Sequence, residues 1–101
     1  MIIPIHGLRY HTFKRPSIDD PIKLVKERNN LYDELAIAAY TINNEKIGYV
    51  SAKSCYNKKV FDRMQDEELS GLVWAVFQNE ILIELDFQKN LPQKTKSLKK
   101  V

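Results

Sequence analysis

Apolar and polar residues alternate along much of this chain, the two-residue repeat of a strand with one face buried. Residues 3–10 are rich in β-formers and predict a first strand, with Pro4 near its start marking an edge because proline has no N–H to give a ladder. Residues 12–21 hold Pro16, Ser17, Asp19, Asp20 and Pro21 and predict a loop. Ile22, Leu24 and Val25 then alternate loosely with Lys23 and Lys26, a strand running toward Arg28. Asn29 and Asn30 break it, since asparagine tolerates turn and left-handed conformations. Residues 36–41 and 46–51 predict a hairpin around Asn43 and Asn44.

Between residues 51 and 68 the period changes. Val60, Phe61 and Met64 take helical spacing with charged residues on the other face, and Ser51 and Asn57 are candidate caps for one or two short helices. Residues 71–77 and 81–87 are again strand-like, joined as a hairpin through Gln78, Asn79 and Glu80. Four strands, a short helical insertion and two strands make a mainly β fold, most simply a small barrel or curled sheet.

Composition bounds the rest. A chain of 101 residues is one domain, and at 44% hydrophobic and 29% charged residues it is expected to bury a modest core and be soluble. No apolar run approaches the roughly 20 residues that span a bilayer, so no membrane partner is expected. The segment from Met1 to Ile5 lacks the basic start and long apolar stretch of an export signal. One cysteine, Cys55, forbids an internal disulfide, and with only His6 and His11 beside it no cysteine-rich zinc site is available, a usage that fits a reducing cytoplasm. No cofactor is implied.

The formal charge of +3 invites a nucleic-acid reading, but its distribution changes the argument. The last fourteen residues, 88–101, carry Lys89, Lys94, Lys96, Lys99 and Lys100 and no acid. Taking those five from the 16 cations leaves 11 against 13 acids in residues 1–87, a net of −2. The body, residues 1–87, is the expected folded domain. The tail is the expected flexible basic appendage, suited to solubility or to a loose grip on a phosphate backbone.

Signatures of catalysis are absent. Gly7, Gly48 and Gly71 lie far apart, so the chain has neither a phosphate-binding loop nor a dinucleotide fingerprint. Cys55 with His6 or His11 is the only nucleophile pair on offer, and a lone helical cysteine reads as a small buried or neutral residue. Asp66, Glu67 and Glu68 read as a solvated helix end rather than a metal site.

Two segments concentrate binding chemistry. Asn29, Asn30, Tyr32 and Asp33 put two amides, a phenol and a carboxylate at one strand-end loop. They serve either as a recognition site or as turn chemistry, the side chains satisfying their own backbone while Tyr32 packs on the barrel mouth. Arg9, Tyr10 and His11 offer a phosphate clamp beside stacking rings, or simply an ordinary strand end. From the residues alone both pairs of readings stay open.

The run Arg28-Asn29-Asn30-Leu31-Tyr32-Asp33, with Ala36-Ile37 and then Lys46-Ile47-Gly48-Tyr49-Val50, resembles the HIRAN domain family, and Gly7-Leu8-Arg9-Tyr10 resembles that family's first-strand signature. The likeness covers roughly residues 3–87. It implies an OB-like, six-stranded antiparallel β-barrel with one or two short helices inserted before the last hairpin. HIRAN domains stand alone in bacteria or precede DNA-remodelling ATPases, and in a DNA-binding member the domain captures the 3′-hydroxyl end of single-stranded DNA.

By position, the resemblance assigns backbone and base contacts to Arg9, Tyr10 and His11, and the pocket loop to Arg28, Asn29, Asn30, Tyr32 and Asp33, with Asp33 accepting from the terminal hydroxyl. Tyr49 follows the glycine of the fourth strand. Leu31 stands where the family has proline, Glu34 and Leu35 where it has small or Asn residues, His11 where the DNA-binding member has tyrosine, and Ile81 near its stacking aromatic. The implied function is a non-catalytic DNA-end-binding module of repair or processing. The alternative is a protein-interaction module that docks a separate helicase or nuclease.

Overall fold

The computed structural model describes residues 1–8, 15–85 and 87. In chain order it holds β1 (Ile2–His6), β2 (Pro21–Lys26), β3 (Ile37–Thr41), β4 (Lys46–Val50), a 3₁₀ turn (Lys53–Cys55), α1 (Tyr56–Arg63), β5 (Glu68–Val76) and β6 (Ile81–Glu84). The six strands close into one antiparallel barrel in the order β1-β4-β3-β2-β5-β6. The fold is thus the mainly β barrel with a short helical insertion that the element order predicts. Alternation fills its interior: Ile3 and Ile5, Ile22 and Leu24, and Ile81 and Ile83 are all buried.

Closure removes the edge expected at Pro4, because β1 pairs with β6 on one side and with β4 on the other. The missing N–H is absorbed locally. The Pro4 carbonyl accepts the Ser51 N–H at 3.0 Å, while the Ser51 carbonyl, the group a residue-4 N–H would reach, takes the Asn57 N–H at 3.0 Å instead. No edge at Pro4 is left for a second copy to pair with.

β1 stops at His6, earlier than alternation predicts, because Gly7 takes φ +70° and turns the chain. The helical stretch is also shorter than its charge pattern suggests. Ser54 and Cys55, the last two residues of the 3₁₀ turn, both sit at left-handed φ, 56° and 59°, so α1 starts only at Tyr56. Of the two expected caps, Ser51 stands one residue before the N-cap position and its hydroxyl accepts the N–H of Lys53, the first residue of the 3₁₀ turn, whereas Asn57 lies inside α1 and caps nothing. Cys55 is exposed, not buried. The acidic cluster is no helix end. Glu68 opens β5, and the Glu67 carbonyl takes the Lys26 N–H, extending the β2–β5 ladder.

A bulge in β4 reorders the outer face of the barrel beside the β2–β3 loop. Ala39 pairs with Gly48 but Tyr40 pairs with Lys46, so Ile47 is an extra residue. Face parity therefore shifts by one: Ile47 and Val50, three apart, both enter the core, while Lys46 and Tyr49, also three apart, lie outside it, half-buried. Gly48 permits this crossing, because a Cβ there would lie 2.4 Å from the His6 carbonyl oxygen of β1.

Candidate nucleic-acid interface

The loop between β2 and β3 is held at both ends by the backbone. Glu27 N–H donates to the Ala36 carbonyl at 2.9 Å, Asn30 N–H to the Glu27 carbonyl at 3.1 Å, and Ala36 N–H to the Asp33 carbonyl at 3.1 Å. Side chains complete it. Asn30 Oδ1 accepts the N–H groups of Tyr32 (2.8 Å) and Asp33 (2.9 Å), and Asp33 Oδ1 accepts that of Leu35 (2.9 Å). These are side-chain turns that relieve backbone donors which the loop geometry leaves unpaired.

Behind the loop lies a polar network. Glu27 accepts from Lys46 Nζ (2.9 Å), from the Tyr49 hydroxyl (2.8 Å) and from Asn30 Nδ2 (2.9 Å), and Lys46 also donates to the Tyr49 oxygen at 3.1 Å. Burial alone would raise the Glu27 carboxyl, but the three donors outweigh it and hold it below its ordinary value. The bonds that Lys46 donates, first to Glu27 and then to Tyr49, push its ammonium well above its usual range. Two strand residues brought to one face by the bulge thus grip the root of the loop.

A second tie comes from the helix. Asn57, only 7% exposed, donates through Nδ2 to Asp33 Oδ2 at 2.9 Å. Both carboxylate oxygens of Asp33 are therefore aimed by a donor, and each keeps further lone-pair capacity. Over this framework opens a concavity of about 520 Å³ lined by Glu27, Asn30, Leu31, Tyr32, Asp33, Ala36, Tyr49 and Val50. Tyr32 and Leu31 stand at its rim 97% and 93% exposed. Tyr32 does not pack on the barrel mouth, as turn chemistry alone would have it.

Of the residues singled out in the sequence, Asn30, Tyr32, Asp33 and Tyr49 meet in this concavity. Arg28 and Asn29 do not line it. Arg28 makes a two-pronged pair with Glu67 at 2.7 and 2.8 Å, which holds the Glu67 carboxyl below its ordinary value, and Asn29 is exposed. Arg9, Tyr10 and His11 lie outside the described residues. The last residue of β1, His6, pairs with Tyr49. Sequence reasoning missed Glu27 and Lys46, and took Asn57 for a cap. Glu27 lies two residues before the Asn pair and Lys46 opens the fourth strand, but only the bulge shows that the two meet.

A family model described as the HIRAN domain matches residues 1–88. The chain belongs to the HIRAN domain family. No curated relative matches it in sequence. Among solved structures, the HIRAN domain of human HLTF is similar in fold, with a TM-score of 0.58 at 20% identity, covering 82% of this chain and 71% of that one. HIRAN domains are DNA-binding modules, so membership supports nucleic-acid binding as the general role of this barrel. Among the described residues, no group of three His, Cys, Asp or Glu is placed to hold a metal ion, and no helix is long and apolar enough to cross a membrane.

Proposed function

We propose that this HIRAN domain binds the 3′-hydroxyl end of single-stranded DNA in the concavity over β3 and β4, as a non-catalytic module of DNA repair or processing. The observation that carries the reading is Asp33: a carboxylate lining an open pocket, its two oxygens aimed by Leu35 N–H and Asn57 Nδ2, in a concavity that Tyr32 and Tyr49 also line. A terminal hydroxyl donates a hydrogen bond where a continuing strand would place a charged phosphate. A fixed carboxylate accepts from the first and repels the second. Tyr32 supplies a face for the last base, worth about 1–3 kcal/mol without sequence preference. Arg9, Tyr10 and His11 are proposed to complete the site from the β1 side.

A second reading rests on a different wall. Trp74, the extra residue of a β5 bulge, is 51% exposed, and Ile18, Leu72 and Phe77 are exposed as well. Asp19 N–H pairs with the Val73 carbonyl, which sets Ile18 beside Trp74. Such a patch suits a protein partner, for example a helicase or nuclease. Amide NMR separates the two. Titration with a 3′-hydroxyl oligonucleotide is expected to move the signals of residues 30–36 and of Tyr49. Shifts confined to Trp74 and its neighbours, or none, would contradict the DNA-end reading.

A further inference from the structure

The outer wall of the barrel formed by β5, β6 and β1 is apolar in two successive rows. Val73, Ile83 and Ile3 face the core, so their strand neighbours Leu72, Glu84 and Ile2, aligned across the same three strands, face out. The next outward row is Ala75, Leu82 and Pro4, all half-buried. The β5 bulge adds Trp74 between the two rows, and Leu72, Trp74 and Ile2 are all exposed. Contiguous apolar faces of this kind mark interaction surfaces, whereas exposed apolar residues scattered singly do not. No residue of the wall lines the Asp33 concavity, which leaves the two free to be occupied together.

Shape and charge select the occupant. The barrel is closed, so no strand can be added at an edge and a partner has to dock through side chains. The two rows lie about 7 Å apart along the strands and the three strands span about 10 Å, the footprint of one helix. The one charged side chain in these rows, Glu84, stands between Leu72 and Ile2 in the ladder, and among the described residues it makes no ion pair. Asp19, whose N–H donates to the Val73 carbonyl at 2.8 Å, adds a carboxylate at the margin of β5. Cations at the margins are directed at the backbone: the Met1 ammonium donates to the Leu85 carbonyl at 2.9 Å, and Arg15 to the Phe77 carbonyl. A second copy of this chain seated wall to wall would bury two unpaired Glu84 carboxylates against apolar surface.

We propose that this wall docks an amphipathic helix of a partner protein, its apolar side chains laid over Leu72, Trp74 and Leu82 and a lysine or arginine reaching Glu84. The proposal deepens the protein-partner reading of this wall and does not depend on DNA binding at the pocket. A helix pairs its own backbone groups and offers one apolar stripe, which suits a wall whose strands are already paired on both sides.

Trp74 is the only tryptophan of the chain, so its fluorescence reads the wall directly. The probe is a synthetic peptide of about 18 residues, long enough to hold a helix, with one leucine stripe flanked by lysines; its twin has glutamates in their place. In the intact chain Trp74 should be open to acrylamide quenching, and the lysine peptide should protect it and shift its emission to the blue. The glutamate twin should bind roughly 10-fold more weakly or worse. Glu84→Gln should weaken the lysine peptide roughly 3-fold, and Glu84→Lys should reverse the order of the two peptides. Leu72→Ser, also at an exposed position, should weaken both, and thermal unfolding checks that each variant keeps the barrel. Equal binding of the two peptides by the intact chain, or an order unchanged in Glu84→Lys, would overturn the proposal. So would a Trp74 already shielded in the free chain: shielding that fades on dilution would put a second copy on the wall, and shielding that salt releases would put the lysine-bearing residues 88–101 there. Binding of a 3′-hydroxyl oligonucleotide, followed by anisotropy, should stay within about twofold in Glu84→Gln, so this proposal and the DNA-end reading fail separately.

Discussion

At the scale of single residues, the loop shows how one set of side chains meets two demands. Asn30 and Asp33 do the turn chemistry that their residue types suggest, and that work is what fixes Asp33 at the pocket lip. Asn30→Ala removes an acceptor for two N–H groups and a donor to Glu27. At about 1 kcal/mol per net hydrogen bond, the three bonds amount to a loss of roughly 3 kcal/mol in urea unfolding, together with weaker DNA binding. Asp33→Asn is a gentler change, because rotation of the Asn57 amide presents its oxygen to the new NH₂ group. Stability should change by less than about 1 kcal/mol while the preference for a 3′-hydroxyl over a 3′-phosphate disappears; a preserved preference would show that another group reads the end.

Glu27 gives the pH dependence. Its carboxyl is held below the ordinary value of 4.5 in the folded chain, so its contribution is complete above pH 4.5 and is lost as pH falls through the lowered value. Glu27→Gln should therefore lower the unfolding temperature near neutral pH and flatten its decline on the acid side. Parallel curves for the two proteins would contradict the network.

At the scale of elements, the strands were legible in the sequence and their irregularities were not. Alternation at Ile3 and Ile5, Ile22 and Leu24, and Ile81 and Ile83 marks core faces directly, since a period of two is what a barrel wall imposes. A bulge breaks that period without a signature of its own. The sequence therefore does not show that Lys46 and Tyr49 share a face, or that Trp74 stands out from β5. Pro4 misled for a related reason: its missing N–H predicts an edge only until the Asn57 N–H is seen to occupy the Ser51 carbonyl.

The pocket residues were legible through the family's Asn-Tyr-Asp pattern. Of the residues that hold them, Glu27 lies three positions before Asn30 in the same loop, while Lys46 and Asn57 come from β4 and α1 and are joined to the loop only in space. Gly48 is where strand geometry is least tolerant. A methyl group 2.4 Å from the His6 carbonyl forces β1 off β4, and Gly48→Ala should cost about 3 kcal/mol by chemical denaturation, whereas little change would mean that the two strands slide apart readily.

For the whole molecule, the net charge of +3 says little by itself, because the body carries −2 and the last fourteen residues the rest. Recognition then has to come from local arrangement, a carboxylate and rings at the pocket. The lysine-rich residues 88–101 lie outside the described residues, and their proposed contribution is non-specific grip. Deleting them should weaken binding of all single strands alike and reduce its salt dependence, while the ratio of affinities for the two kinds of 3′ end stays the same.

That ratio is the central quantity. Fluorescence anisotropy of the chain with two oligonucleotides of one sequence, ending in a 3′-hydroxyl or a 3′-phosphate, measures it at low and at moderate salt. Tighter binding of the hydroxyl end is expected at both salt concentrations, by roughly 10-fold or more for the loss of a charge-assisted bond worth about 1.5–3 kcal/mol. Equal affinity for the two ends would contradict it.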